Sequence, residues 1–117
     1  MIGGILRRWT VTYGVLAALT TATVYAAPSA LPGKAIAFDR NKGNCLSCHV
    51  IADGELPGDI GPSLVNLQKR YPEKARLRAQ VYDATVNNAN TMMPPFGRHR
   101  ILSDTEIDQI VDYLFTL

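Results

Sequence analysis

Two cysteines and a histidine in the order Cys45-Leu46-Ser47-Cys48-His49 constrain this 117-residue chain more than any other feature. Thiols three positions apart sit on one turn of chain, where both can add to the two vinyl groups of a single porphyrin. The imidazole that follows directly then falls beneath the iron, which is why CxxCH is the attachment signature of a c-type haem. Cys45 and Cys48 are the expected thioether tethers and His49 the expected proximal iron ligand. Two other chemistries use closely spaced cysteines, and neither fits. A thioredoxin-like redox pair needs a βαβ pattern that the sequence lacks, and a zinc site needs two more Cys or His where only His99 remains.

The N-terminus indicates export. Met1 to Arg8 is a short basic segment carrying Arg7 and Arg8, no Asp or Glu precedes Asp39, and the uncharged run from Trp9 to Val24 ends in small residues around Ala26. This pattern predicts a secretory signal peptide over residues 1–26 and a domain over residues 27–117. A retained membrane anchor is the alternative, because the uncharged run continues to Gly33; five Thr in that run and the following Pro28 and Pro32 oppose it. Arg7 and Arg8 should stay on the cytoplasmic side, so the mature protein is expected in the periplasm, without membrane contact after cleavage. Beyond residue 26, ten basic side chains face ten acidic ones, with no basic stripe of the kind that binds nucleic acid. The single Trp, Trp9, leaves with the leader, so a bound porphyrin would supply apolar bulk to a small core.

A six-coordinate haem needs a ligand on its second face, and thioether sulfur suits an electron-transfer iron. Met92 and Met93 lie in Asn90-Thr91-Met92-Met93-Pro94-Pro95-Phe96-Gly97, where the prolines hold the chain extended and remove backbone donors. Met93, directly before Pro94, is the expected distal ligand; Met92 and His99 are the alternatives.

The coarse pattern is helical throughout. Helices are expected over Lys34–Arg40, Pro62–Arg70 and Glu73–Asp83, the last with Leu77 and Val81 one turn apart. Ser103 and Glu106 form a capping-box pair ahead of an apolar stripe of Ile107, Ile110, Val111 and Leu114. No run alternates as a sheet strand does. Asp53 to Gly61, with three Gly and one Pro, reads as a loop that closes over the haem edge. Lys69, Arg70, Lys74, Arg76 and Arg78 make a basic cluster that is either a solvated helix face or a steering patch for an acidic partner. Arg98, His99 and Arg100 follow the methionine loop, where they could meet the haem carboxylates or a partner surface.

Gly61-Pro62-Ser63-Leu64, twelve residues after the haem motif, resembles a segment of small class I cytochromes c in which the Pro carbonyl accepts a hydrogen bond from the proximal His. The resemblance implies that Pro62 fixes the His49 tautomer and raises its basicity. A plain helix start at Pro62 is compatible with that role. Five segments together resemble the SoxX family, the small monohaem cytochromes of bacterial sulfur oxidation: Cys45–His49, Ala52–Gly58, Ile60–Leu64, Ala75–Gln80 and Met93–Leu102.

That family implies an all-α class I cytochrome c domain with one covalent haem c and a SoxA cytochrome as heterodimer partner. Together the pair joins thiosulfate oxidatively to a cysteine of the SoxYZ carrier, an L-cysteine S-thiosulfotransferase activity that releases two electrons. SoxA, whose haem carries a modified cysteine ligand, is the catalytic subunit. By that resemblance this chain is expected to be the non-catalytic electron-transfer subunit that delivers electrons to a small soluble cytochrome, and its lack of a third cysteine agrees with such a division of labour. A free-standing periplasmic monohaem carrier is the alternative. A haem peroxidase or ligand sensor with a labile distal Met is the third reading.

Overall fold

A computed structural model of the chain describes residues 32–117; the expected signal peptide over residues 1–26 lies outside the described residues. Four α-helices occur in them: α1 (Pro32–Phe38), α2 (Leu67–Arg70), α3 (Lys74–Tyr82) and α4 (Asp104–Leu114). Short 3₁₀ turns occupy Cys45–Ser47 and Ala84–Val86, and no strand is present among these residues. The all-α architecture expected from the sequence is what forms.

Helix α4 organises the packing. The Ser103 hydroxyl accepts from the Glu106 N–H and the Glu106 carboxylate accepts from the Ser103 N–H, so the capping box closes in both directions. This satisfies two amide donors that would otherwise be orphaned at the helix start. Ile107, Ile110, Val111 and Leu114 are all buried, on the stripe that the sequence marks out. Helix α1 crosses α4 so closely that a Cβ on Gly33 would collide with the Gln109 carbonyl. Phe38 meets the Tyr113 ring edge-on at 6.1 Å. On the other side Leu77 and Val81 of α3 face the same core.

Carboxylates of α4 spaced four apart knit α3 to it. Arg78 binds Asp104 (2.7 Å) and Asp108 (2.5 Å), and Lys74 pairs with Asp112. Two of the five charges in the basic cluster are therefore committed inside the chain. Among the described residues Lys69, Arg70 and Arg76 have no ion pair, which confines any steering patch to those three.

Two helix expectations are corrected. The first helix spans Pro32–Phe38 instead of Lys34–Arg40, with Pro at its first position. It stops where the Asp39 carbonyl accepts from Lys42 and Asn44 (both 3.0 Å) in a tight turn. The expected Pro62–Arg70 helix is reduced to Leu67–Arg70, because Asn66 adopts a left-handed conformation (φ 52°). Asn tolerates that region better than most residues, and it prevents helix propagation from Pro62. Instead, residues 62–66 run non-helically, with the Leu64 N–H on the Val50 carbonyl (2.9 Å). α2 is fastened to the C-terminus through Leu67 N–H to the Leu117 carbonyl (3.1 Å) and Gln68 Nε2 to the Phe115 carbonyl (2.6 Å).

Candidate functional site

The CxxCH motif is wound by local bonds. Asn44 is left-handed (φ 46°), and the Ser47 hydroxyl donates to its carbonyl at 2.8 Å. The Cys48 and His49 amides both donate to the Cys45 carbonyl, at 3.2 and 3.0 Å. Both cysteines thus lie on one turn, half-buried and unpaired, as a double attachment requires. Burial pushes the Cys45 thiol up to about 11, so at neutral pH it is a protonated thiol.

Both cysteines and His49 line one cavity of about 630 Å³, within the range of small-molecule and cofactor sites. Its walls also include Leu67, Val81 and Phe96 from the core, and the Met92–Met93 pair. The His49 Nδ1–H donates to the Pro62 carbonyl at 2.7 Å, since a carbonyl can only accept. Nδ1 therefore carries the proton and Nε2 keeps its lone pair for a metal. This donor set, two thiols on one turn beside an imidazole with a free nitrogen, fits an iron porphyrin.

One determinant that the sequence analysis missed is the glycine beside that proline. A Cβ on Gly61 would fall onto the His49 imidazole, and the Gly61 N–H donates to the Cys48 carbonyl at 2.7 Å. The motif and the Gly61-Pro62 segment are thus docked face to face, and only a glycine leaves room for the ring. CxxCH followed by Gly-Pro was the available signal, read there for its proline alone. The Asp53–Gly61 loop is a loop as expected, but its closure over the cavity is only partial. It docks on the motif through the Gly58 N–H to the Leu46 carbonyl (2.7 Å), while Leu56 is 92% exposed. From this loop only Ile60 and Gly61 reach the cavity wall.

The methionines differ in their setting. Met93 is half-buried against the core, and its N–H is held by the Thr91 hydroxyl at 3.1 Å. Met92 lines the same cavity but is 75% exposed. His99 is exposed and does not line the cavity. Arg98 reaches Asp83 at 3.3 Å while most of its side chain stays exposed.

The comparisons with known proteins agree with this geometry. The family described as cytochrome c oxidase, cbb3-type, subunit III matches residues 32–114. A chain in the crystal structure of SoxXA from P. pantotrophus is similar at 29% identity with a TM-score of 0.66, over 82% of this chain and 87% of that one. No curated protein matches the chain by sequence. With the CxxCH turn, the cavity and nearly the whole described domain accounted for, the chain belongs to the family described as cytochrome c oxidase, cbb3-type, subunit III, as an all-α, SoxX-like cytochrome c domain for haem c.

Proposed function

We propose that this chain is the monohaem electron-transfer subunit of a SoxAX complex, which oxidatively conjugates thiosulfate to a cysteine of the SoxYZ carrier in the periplasm. Cys45 and Cys48 would form the thioethers to one haem c, and His49 and Met93 would supply the nitrogen and sulfur that hold its iron. When bound, the haem supplies an iron that takes up and releases one electron at a time.

The chain's own residues perform the holding. The Pro62 carbonyl keeps the proton on His49 Nδ1, which leaves the Nε2 lone pair free for the iron and fixes the ring's orientation. Met93 offers sulfur from a loop whose prolines cannot enter a helix. With both cysteines of the mature chain used for attachment, no thiol remains to act on a sulfur substrate. The two electrons of the conjugation pass singly through this subunit to a small soluble cytochrome, and catalysis resides on the SoxA partner. Ile60 and Met92, apolar cavity-lining residues 60% and 75% exposed, give that partner a rim to approach.

The observation that carries the reading is the convergence of Cys45, Cys48, His49 and Met93 on one cavity. The SoxXA likeness directs it toward that complex. The test is co-purification of the haem-loaded chain with a SoxA partner, followed by assay of each alone and both together. The isolated chain should undergo reversible reduction without thiosulfate-dependent turnover, and turnover should appear when SoxA and SoxYZ are added. Turnover by the isolated chain, or covalent haem retained in a Cys45→Ala/Cys48→Ala double variant, refutes the proposal.

A further inference from the structure

The segment carrying Met93 closes on itself in a local turn at its near end and is fastened to α3 at its far end. On the near side the Met93 N–H is held by Thr91. On the far side the N–H groups of Gly97 and Arg98 both donate to the carbonyl of Tyr82, the last residue of α3, at 3.0 and 3.3 Å. The approach is close enough that a Cβ on Gly97 would strike the Tyr82 ring. Arg98 Nη1 then reaches Asp83 Oδ2 at 3.3 Å and the Thr85 hydroxyl at 3.4 Å.

Asp83 is built to receive that guanidinium. Its side chain is only 12% exposed, and Oδ1 accepts from the Thr85 N–H (3.1 Å) and hydroxyl (2.5 Å). One oxygen therefore caps the Ala84–Val86 turn while the other holds Arg98. The Thr85 hydroxyl first, and then its N–H and Arg98, keep this carboxyl below the usual carboxylate range against the opposing effect of burial.

Between Met93 and Arg98 the backbone is held through carbonyls: those of Pro94, Pro95 and Phe96 accept from Phe96 (3.0 Å), His99 (3.0 Å) and Ile101 (2.9 Å) in turn, and the Asp83–Arg98 pair is the side-chain tie from this stretch to the end of α3. Pro94 and Pro95 have no N–H, and Phe96 is the one large side chain of residues 94–98 that is buried. A neutral thioether presented by a loosely held loop must be ordered anew each time it binds, whereas a loop tied to a helix end is already ordered. We propose that Asp83 and Arg98 form a clasp that positions the Met93 loop, so that the pair governs how firmly Met93 stays on the iron. The inference rests on the reading of Met93 as distal ligand. Neither residue touches the haem; both are positioning residues.

The test uses ferric holoprotein and imidazole, an external ligand that competes with Met93. Its apparent affinity rises with the fraction of molecules whose Met93 is detached. Arg98→Met keeps the alkyl stem and leaves the Asp83–Thr85 bonds in place. Because the Arg98 side chain is 62% exposed, solvent screens the pair, and the expected gain in imidazole affinity is about five-fold, about 1 kcal/mol. The weak Met-to-ferric absorption band should be lost at lower temperature than in the wild type, while unfolding followed by far-UV circular dichroism changes little. Asp83→Asn should add less in the Arg98→Met background than alone. Arg98→Lys, which keeps the charge but not the planar fork, should fall between, and it carries the test if Arg98→Met yields no holoprotein. A wild-type band with imidazole affinity indifferent to the Arg98 variants overturns the clasp alone. A wild type without the band, or a Met93→Ala variant that keeps it, overturns the ligand reading and the clasp with it.

Discussion

Gly61→Ala is the smallest change that should disturb the iron site without removing a ligand. The added methyl would occupy the position of the His49 ring, and Gly61 is not at a positive φ, so the clash is steric and not conformational. Either the imidazole rotates and gives up its 2.7 Å bond to Pro62, or the segment retreats and gives up the 2.7 Å bond from the Gly61 N–H to Cys48. Overfilling a packed contact costs about 1–3 kcal/mol, and a lost hydrogen bond about 0.5–1.5 kcal/mol. The expected loss is therefore about 2–4 kcal/mol, a large share of the roughly 5–15 kcal/mol that stabilises a small domain. Guanidinium denaturation of the holoprotein, followed by haem absorbance, should show a midpoint well below wild type. Potentiometry adds a second readout. Weakening the Pro62 bond makes His49 a poorer donor to ferric iron, so the reduction potential should rise. Gly54→Ala is the control, since its Cβ meets mainly the flexible tip of Leu46; it should cost less and leave the potential unmoved. A Gly61→Ala holoprotein with wild-type midpoint and potential would refute the idea that this glycine seats the proximal ring.

Two further outcomes are expected. Met93→Ala should abolish the Met-to-ferric band while Met92→Ala largely preserves it, as their burial suggests; the reverse pattern would assign the other sulfur. The Glu106 carboxyl is lowered from 4.5 to about 2, first by the Lys42 ammonium hydrogen-bonded at 2.6 Å and then by Ser103. A folded value below the unfolded one adds stability that is fully present above about pH 4.5 and is lost as pH falls through about 2. Glu106→Gln should therefore flatten the acid limb of stability in that window, and denaturation midpoints measured across it that still fall as in wild type would exclude the contribution.

The features legible from residue order alone are those that depend on neighbours within a turn or two of chain. The CxxCH spacing places two thiols and an imidazole on one turn whatever surrounds them, and the Ser103–Glu106 box and the Ile107–Leu114 stripe follow from the 3.6-residue period. Leu77 and Val81, read one turn apart, both reach the core for the same reason. Which distant groups compete for a residue is settled by packing between elements. The segment after Pro62 carries helical apolar spacing, but docking its backbone on the haem motif and turning at Asn66 leave only Leu67–Arg70 helical. Lys74 and Arg78 look like a free basic patch until α4 brings Asp104, Asp108 and Asp112 alongside. The ion pair of Arg98 with Asp83 likewise forms only because α3 ends beside the methionine loop. Apart from the local turn at Asn66, the deciding contacts join residues far apart in the chain, and periodicity contains no record of such pairings. The Gly61 seat belongs to the same class, because the need for a missing side chain becomes visible only when His49, twelve residues earlier, folds back onto it.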